Sequence, residues 1–162
     1  MKKLILVRHA KSSWEYDLTD INRPLKKRGI TDTHLVSEKF LEYGIKIDLL
    51  CSSDAVRALT TAEIFAEKLQ LLKENINIKH DLYDFSGDRL IDVIKNCSNS
   101  VNVLMIFGHN FALTNFVNVY GDQYIENVPT CGLTIIDFKI KAWENINKGI
   151  TSLTIFPRDL KL

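Results

Sequence analysis

Apolar residues fall into short unbroken runs and into helical stripes along this chain. Leu4 to Val7 is one such run and Val103 to Phe107 another. A strand covered on both faces reads this way, because each face packs against a further layer. Strands are predicted over 3–9, 45–53, 75–83, 101–109, 132–138 and 152–157. Between them the spacing becomes helical. Residues 31–44 carry Leu35, Phe40 and Leu41, with Gly44 placed to close a helix. Residues 54–72 give the clearest stripe: Val56, Leu59, Ala62, Ile64, Phe65 and Leu69, behind Asp54 as N-cap. Residues 87–97 and 110–121 read as further helices, the second capped by Asn110. Residues 22–30 read as a loop, and 139–149 as a polar turn region. Alternating strands and helices of this kind predict a three-layer αβα sandwich with a mostly parallel central sheet.

Composition narrows this picture. The 162 residues fit a single domain over 1–162, with no linker, repeat or low-complexity tract. Hydrophobic residues make up 46% and charged residues 25%, an ordinary globular balance. The net charge of +1 lacks the strong basic excess typical of nucleic-acid binders. Cys51, Cys97 and Cys131 are odd in number and widely spaced, which argues against a disulfide framework or a zinc site. Cys51 and Cys131 lie in apolar runs and are expected in the core. Arg8 and His9 interrupt the first apolar run too early for a signal peptide, and no run reaches membrane-helix length. A cytoplasmic protein with neither nucleic-acid nor membrane partners is expected.

The candidate chemistry sits where strands end. In open α/β sheets, ligands bind beyond the carboxyl ends of the strands. Arg8 and His9 end the first predicted strand, and Gly108-His109 the fourth. Cys51-Ser52-Ser53 end the second, with Arg57 one turn into the next helix. Two guanidinium groups on one sheet edge match phosphate oxygens bidentately. Helix N-termini add backbone donors. A neutral histidine there can attack phosphorus, and a second can donate to it.

Four motifs in order carry a resemblance: "LVRHAKSSW", "NRPLKKRG", "SSDAVRALTTAE" and "IFGHN". With Pro129-Thr130 and Trp143, they closely resemble the histidine phosphatase superfamily, nearest to its small SixA-type phosphohistidine phosphatases. The resemblance runs from Leu4 to Pro157. It implies that His9 is the nucleophile and is transiently phosphorylated. It implies that Arg8 and Arg57 hold the phosphoryl oxygens and that His109 donates to them. No cofactor or metal is implied, and His34 and His80 have no ligand spacing with the others. His34 is expected on a helix surface and His80 at a strand edge. The implied activity is hydrolysis of protein phosphohistidine. A broad small-molecule phosphomonoesterase is the alternative, and a catalytically silent phospho-ligand-binding module is a reading of another class. The partner is then a phosphorylated protein or a small phosphoester.

Larger relatives place a Glu after the third strand to protonate the leaving oxygen. Asp84 is the candidate here, unless it only caps or turns the chain; Asp88 reads as first turn of the next helix. Lys11 and Ser12 are candidate substrate-binding residues or solvated loop residues. Arg23 lines the pocket rim or pins its loop to a carboxylate. Trp14 is a packing residue or a substrate platform. His9 also needs a partner for its second ring nitrogen, and the sequence does not name one.

Overall fold

In the computed structural model, which describes residues 1–161, β1 (Lys2–Arg8) lies inside a six-stranded sheet. Its neighbours are β4 (Val103–Gly108), which is parallel, and β5 (Leu133–Phe138), which is antiparallel. β2 (Leu49–Ser52) pairs with β4, β3 (Asn77–Ile78) with β2, and β6 (Ile150–Ile155) with β5. The order is β3-β2-β4-β1-β5-β6, with β5 alone reversed. The unbroken apolar runs follow from this arrangement. Leu4 and Leu6 point into one core; Ile5 and Val7 point into the other. The first core is closed by α3 (Asp88–Lys95) and α4 (Ala112–Tyr120). The second is closed by α1 (Lys27–Leu41) and α2 (Val56–Lys68). A short α5 (Pro157–Leu160) follows β6 and packs on α1. The result is the αβα sandwich expected.

Several boundaries differ from expectation. α1 starts at Lys27, inside the segment read as a loop, and the exposed Leu41 does not face the core. Its inward face is Thr33, Val36, Ser37 and Phe40. The α2 stripe is also displaced: Ala58, Ala62, Phe65 and Ala66 are buried, and Arg57 shares that inward face. β2 begins only at Leu49. The strand expected over 75–83 shrinks to Asn77–Ile78, and His80 to Leu82 form a 3-10 turn. A short edge strand leaves few unpaired amides, and the turn buries Leu82 instead. Asp54 does not cap α2, because its carboxylate accepts from His80 Nδ1 at 2.8 Å. Ser53 Oγ accepts the Ala55 amide in its place. Asn110 does cap α4, accepting the Thr114 amide at 3.1 Å.

At the N-terminal edge of the sheet, Trp143 is fully buried, and its indole donates to the Val101 carbonyl at 2.8 Å. Lys2 Nζ donates to the carbonyls of Asn99 and Val101. That end is closed with structural hydrogen bonds. The carboxyl edge is different.

Candidate active site

The parallel register brings the chemistry together. Arg8 pairs with Gly108 across β1 and β4, and Ser52 pairs with Phe107 across β2 and β4. One residue beyond Arg8 and Gly108 stand His9 and His109. The His9 amide donates to the Gly108 carbonyl at 3.0 Å, and the imidazole centroids lie 5.2 Å apart. Arg57 reaches the same place from α2 and is 2% exposed. Burial first, and then the nearby Arg57 charge, lowers the pKa of Arg8, His9 and His109.

His9 has its ring fixed by the chain itself. Nδ1 lies 2.8 Å from the Ala10 carbonyl. A carbonyl only accepts, so Nδ1 carries the hydrogen and Nε2 presents a lone pair. Burial, followed by His109 and by the charges of Arg57 and Arg8, holds the His9 pKa well below its usual value despite the Ala10 bond. The ring is neutral at pH 7. Ala10 is held in turn by Thr61, whose hydroxyl accepts the Ala10 amide at 3.0 Å and donates to the Arg57 carbonyl at 2.7 Å. Thr61 thus couples the backbone of the nucleophile candidate to that of an arginine.

His109 is 1% exposed, and its Nε2 meets Ser53 Oγ at 2.9 Å. With Ser53 as donor in this bond, the neutral ring carries its proton on Nδ1. Burial first, then Arg57 and the other arginines, pushes the His109 pKa down to about 3. Tyr83 and Phe85 flank the ring at centroid distances of 5.3 and 5.2 Å. Arg8 Nε, Arg57 Nε and His109 Nδ1 are buried without a hydrogen-bond partner in the protein among the described residues. Buried donors left without acceptors are uncommon, because each carries a desolvation cost of about 1–3 kcal/mol.

The other sequence candidates separate. Asp84 is 3% exposed and accepts the amides of Ser86, Gly87, Arg89 and Leu90 at 3.0–3.2 Å. Its carboxylate caps the N-terminus of α3, which is the capping alternative to a general acid. Burial pushes its pKa up, but the amide donors outweigh this and the net shift is downward. Ser12 is buried, and its hydroxyl accepts from Arg23 Nη1 at 2.7 Å. Arg23 also donates to Asp20 and to the Ser13 carbonyl, and it stacks 3.6 Å from the Trp14 ring. Both residues brace the loop: Arg23 makes the carboxylate contact that pins it, and Ser12 is buried rather than solvated. Lys11 is half-buried, and its carbonyl accepts the Lys26 amide at 2.8 Å. His34 is exposed on α1, while His80 sits in the 3-10 turn paired with Asp54. Cys51 and Cys131 are buried, and burial pushes both thiols up to about 12. No group of three or more His, Cys, Asp or Glu side chains able to hold a metal occurs among the described residues. No helix among them is long and apolar enough to cross a membrane.

Sequence reasoning missed four participants: Thr61, Ser53, Tyr83 and, most directly, Asp20. The Asp20 carbonyl accepts from Arg57 Nη1 at 2.7 Å, and its carboxylate accepts from Arg57 Nη2 at 2.9 Å. Tyr83 and Arg23 donate to the same carboxylate. The one available signal was an acidic residue three positions before Arg23.

This edge, with an Arg-His pair, an inward arginine on the next helix and a second histidine, is that of a histidine phosphatase. The family model for histidine phosphatase superfamily branch 1 matches residues 4–90, and the chain belongs to that superfamily. The fold is shared with a SixA-type protein of Agrobacterium tumefaciens at TM-score 0.80 and 20% identity, over 96% of this chain and 98% of that one. The protein histidine phosphatase SixA complexed with tungstate matches at TM-score 0.80 and 18% identity, over 98% and 99%. An uncharacterised chloroplastic protein of Arabidopsis thaliana is 26% identical over 152 residues, 88% of this chain and 69% of that protein.

Proposed function

We propose that this chain is a metal-independent phosphatase that hydrolyses protein phosphohistidine through a phosphoryl intermediate on His9. The observation that carries this reading is the trio of buried unpartnered donors, on Arg8, Arg57 and His109, beside a neutral His9. Donors so arranged suit a tetrahedral oxyanion, and they stabilise the charge spread over a transferring phosphoryl group without reorganising. In the first step the His9 Nε2 lone pair forms a P–N bond as the substrate P–N bond breaks. The departing imidazole takes the proton that makes it neutral. In the second step water attacks phospho-His9, releases orthophosphate and restores the neutral ring.

The choice of a phosphoramidate over an alkyl phosphate rests on the carboxylates. Asp84 is spent on α3. Asp20 is held ionised: burial raises its pKa, but donors from Tyr83, Arg57 and Arg23 drive it well below the usual carboxylate range. Neither is a proton donor for an alkoxide. An imidazole protonated from solvent leaves without one. The Tyr83 and Phe85 rings beside His109 add aromatic surface against which such a leaving group can pack, and Phe85 is 46% exposed.

The test is incubation with a histidine-phosphorylated protein, read by intact mass and by phosphate release. A transient gain of one phosphoryl mass in wild type and none in His9→Ala supports the reading. Tight orthophosphate binding with no turnover would make the chain a binding module. Faster turnover of alkyl phosphates than of phosphohistidine would make it a general phosphomonoesterase.

A further inference from the structure

Asp20 is the one carboxylate bonded to the cationic cluster among the described residues, and its placement is specific. It receives donors from three separate parts of the fold: Arg57 on α2, Arg23 on the loop, and Tyr83 ahead of α3. The Arg57 side chain is 3% exposed, whereas that of Asp20 is 42% exposed. The carboxylate therefore lies between the buried guanidinium and solvent. Both terminal nitrogens of Arg57 already donate to Asp20, one to its carbonyl and one to its carboxylate. Arg57 Nε is unpartnered, so a bidentate fork on Arg57 pairs it with a terminal nitrogen, or uses both terminal nitrogens; either way the phosphoryl group shares at least one donor nitrogen with Asp20.

Charge balance points the same way. Arg8, Arg23 and Arg57 supply three positive charges, Asp20 removes one, and both histidines are neutral at pH 7. The net +2 matches a phosphoryl dianion. Without Asp20 the site would hold +3 and would bind free orthophosphate more tightly, which slows its release.

We propose that Asp20 is a built-in counter-anion that competes with the phosphoryl group for Arg57 and so keeps the orthophosphate product weakly bound. It acts through Arg57 and is a positioning residue. The proposal rests on the phosphoryl-site reading above but not on turnover.

The test is calorimetric titration of orthophosphate into wild type, Asp20→Asn and Asp20→Glu, with thermal melts to confirm folding. Asp20→Asn should bind orthophosphate at least about tenfold more tightly, as loss of one partly screened charge at contact range implies. With a histidine-phosphorylated protein as substrate, its first turnover should stay fast while steady-state kcat falls. Asp20→Glu should return both values toward wild type. Binding no tighter than wild type, or weaker, overturns the proposal and makes Asp20 a strut for Arg57. Tyr83→Phe provides a second arm, because it keeps the Asp20 charge but removes one donor. The freed carboxylate should hold Arg57 harder and weaken orthophosphate about two- to fivefold. Tightening, or no change, in that variant also counts against the proposal. Orthophosphate binding is read without catalysis, so a failure of His9 phosphorylation and a failure of this proposal are separate results.

Discussion

Replacing Asp84 with alanine should destabilise the protein without selectively removing a catalytic step. The carboxylate accepts four backbone amides and the Ser86 hydroxyl. Its bonds to Gly87 and Leu90 are buried, and those to Ser86 and Arg89 are partly buried. The two buried amides lose their partner out of reach of water, at about 1–3 kcal/mol each; the other two turn to solvent at little cost. Cap losses in general run about 0.5–2 kcal/mol. The expected loss is about 3 kcal/mol, or a fall of about 6–12 °C in Tm for a chain of this size. Asp84→Asn keeps one acceptor and should lose about half as much. The native pKa is lowered, so this stabilisation is complete above the ordinary carboxylate value and is lost as pH falls through the native one. Urea melts at pH 7 and pH 3.5 should therefore show the gap between wild type and Asp84→Ala narrowing in acid. Activity on phosphohistidine and on an alkyl phosphate should fall together, by no more than the folded fraction explains. An alkyl phosphate rate down by about 100-fold or more, with stability and phosphohistidine turnover intact, would mark Asp84 as a general acid.

Three other outcomes follow from the geometry. Thr61→Val keeps the side-chain volume but removes the acceptor for Ala10 and the donor to Arg57; kcat for phosphohistidine should fall about tenfold with a stability loss of about 1–2 kcal/mol, measured by stopped-flow and urea melts. His109 refuses its proton until about pH 3, while the unfolded chain accepts it near 6.5. Between those limits falling pH must lower stability, by about 1.4 kcal/mol per pH unit from this residue, and His109→Asn should show a shallower slope between pH 6 and 4.5 by that amount. Gly29→Ala would drive a methyl group into the Lys11 backbone carbonyl, two residues beyond His9. It should lower both Tm and kcat, and a variant with wild-type values for both would show that α1 can move aside without disturbing His9.

Most of the fold was legible because the sheet is buried on both faces. β1 and β4 pack against helices on each side, so their apolar runs are unbroken. The segment over 75–83 failed for the opposite reason. It lies at the sheet edge with Ile78 52% exposed, and local turns satisfy its backbone instead of a ladder. The α2 stripe was read from its apolar residues and so was rotated from the true inward face. Arg57 and Thr61 are buried polar residues held by hydrogen bonds, Thr61 to the Ala10 amide and Arg57 to Asp20 at the sheet's carboxyl edge, and a hydrophobic pattern cannot see them.

The candidate site divides along the same line. Arg8, His9 and His109 could be placed because strand register is rigid. Once Arg8 pairs with Gly108, the residues that follow must be neighbours. Asp20 could not be placed, because it opens a short 3-10 turn (Asp20–Asn22) whose position is set by Arg23, Ser12 and Trp14 rather than by any apolar period. Asp84 shows why residue type at the expected position is insufficient. It lies between Tyr83 and Phe85, whose rings both face His109, while its own carboxylate turns into the start of α3. The Gly87 φ of 113° that opens this turn lets the amides of Gly87, Arg89 and Leu90 converge on that carboxylate. A carboxylate one residue from the chemistry is thus committed to the fold, and the one in contact with Arg57 comes from a short 3-10 turn between β1 and α1.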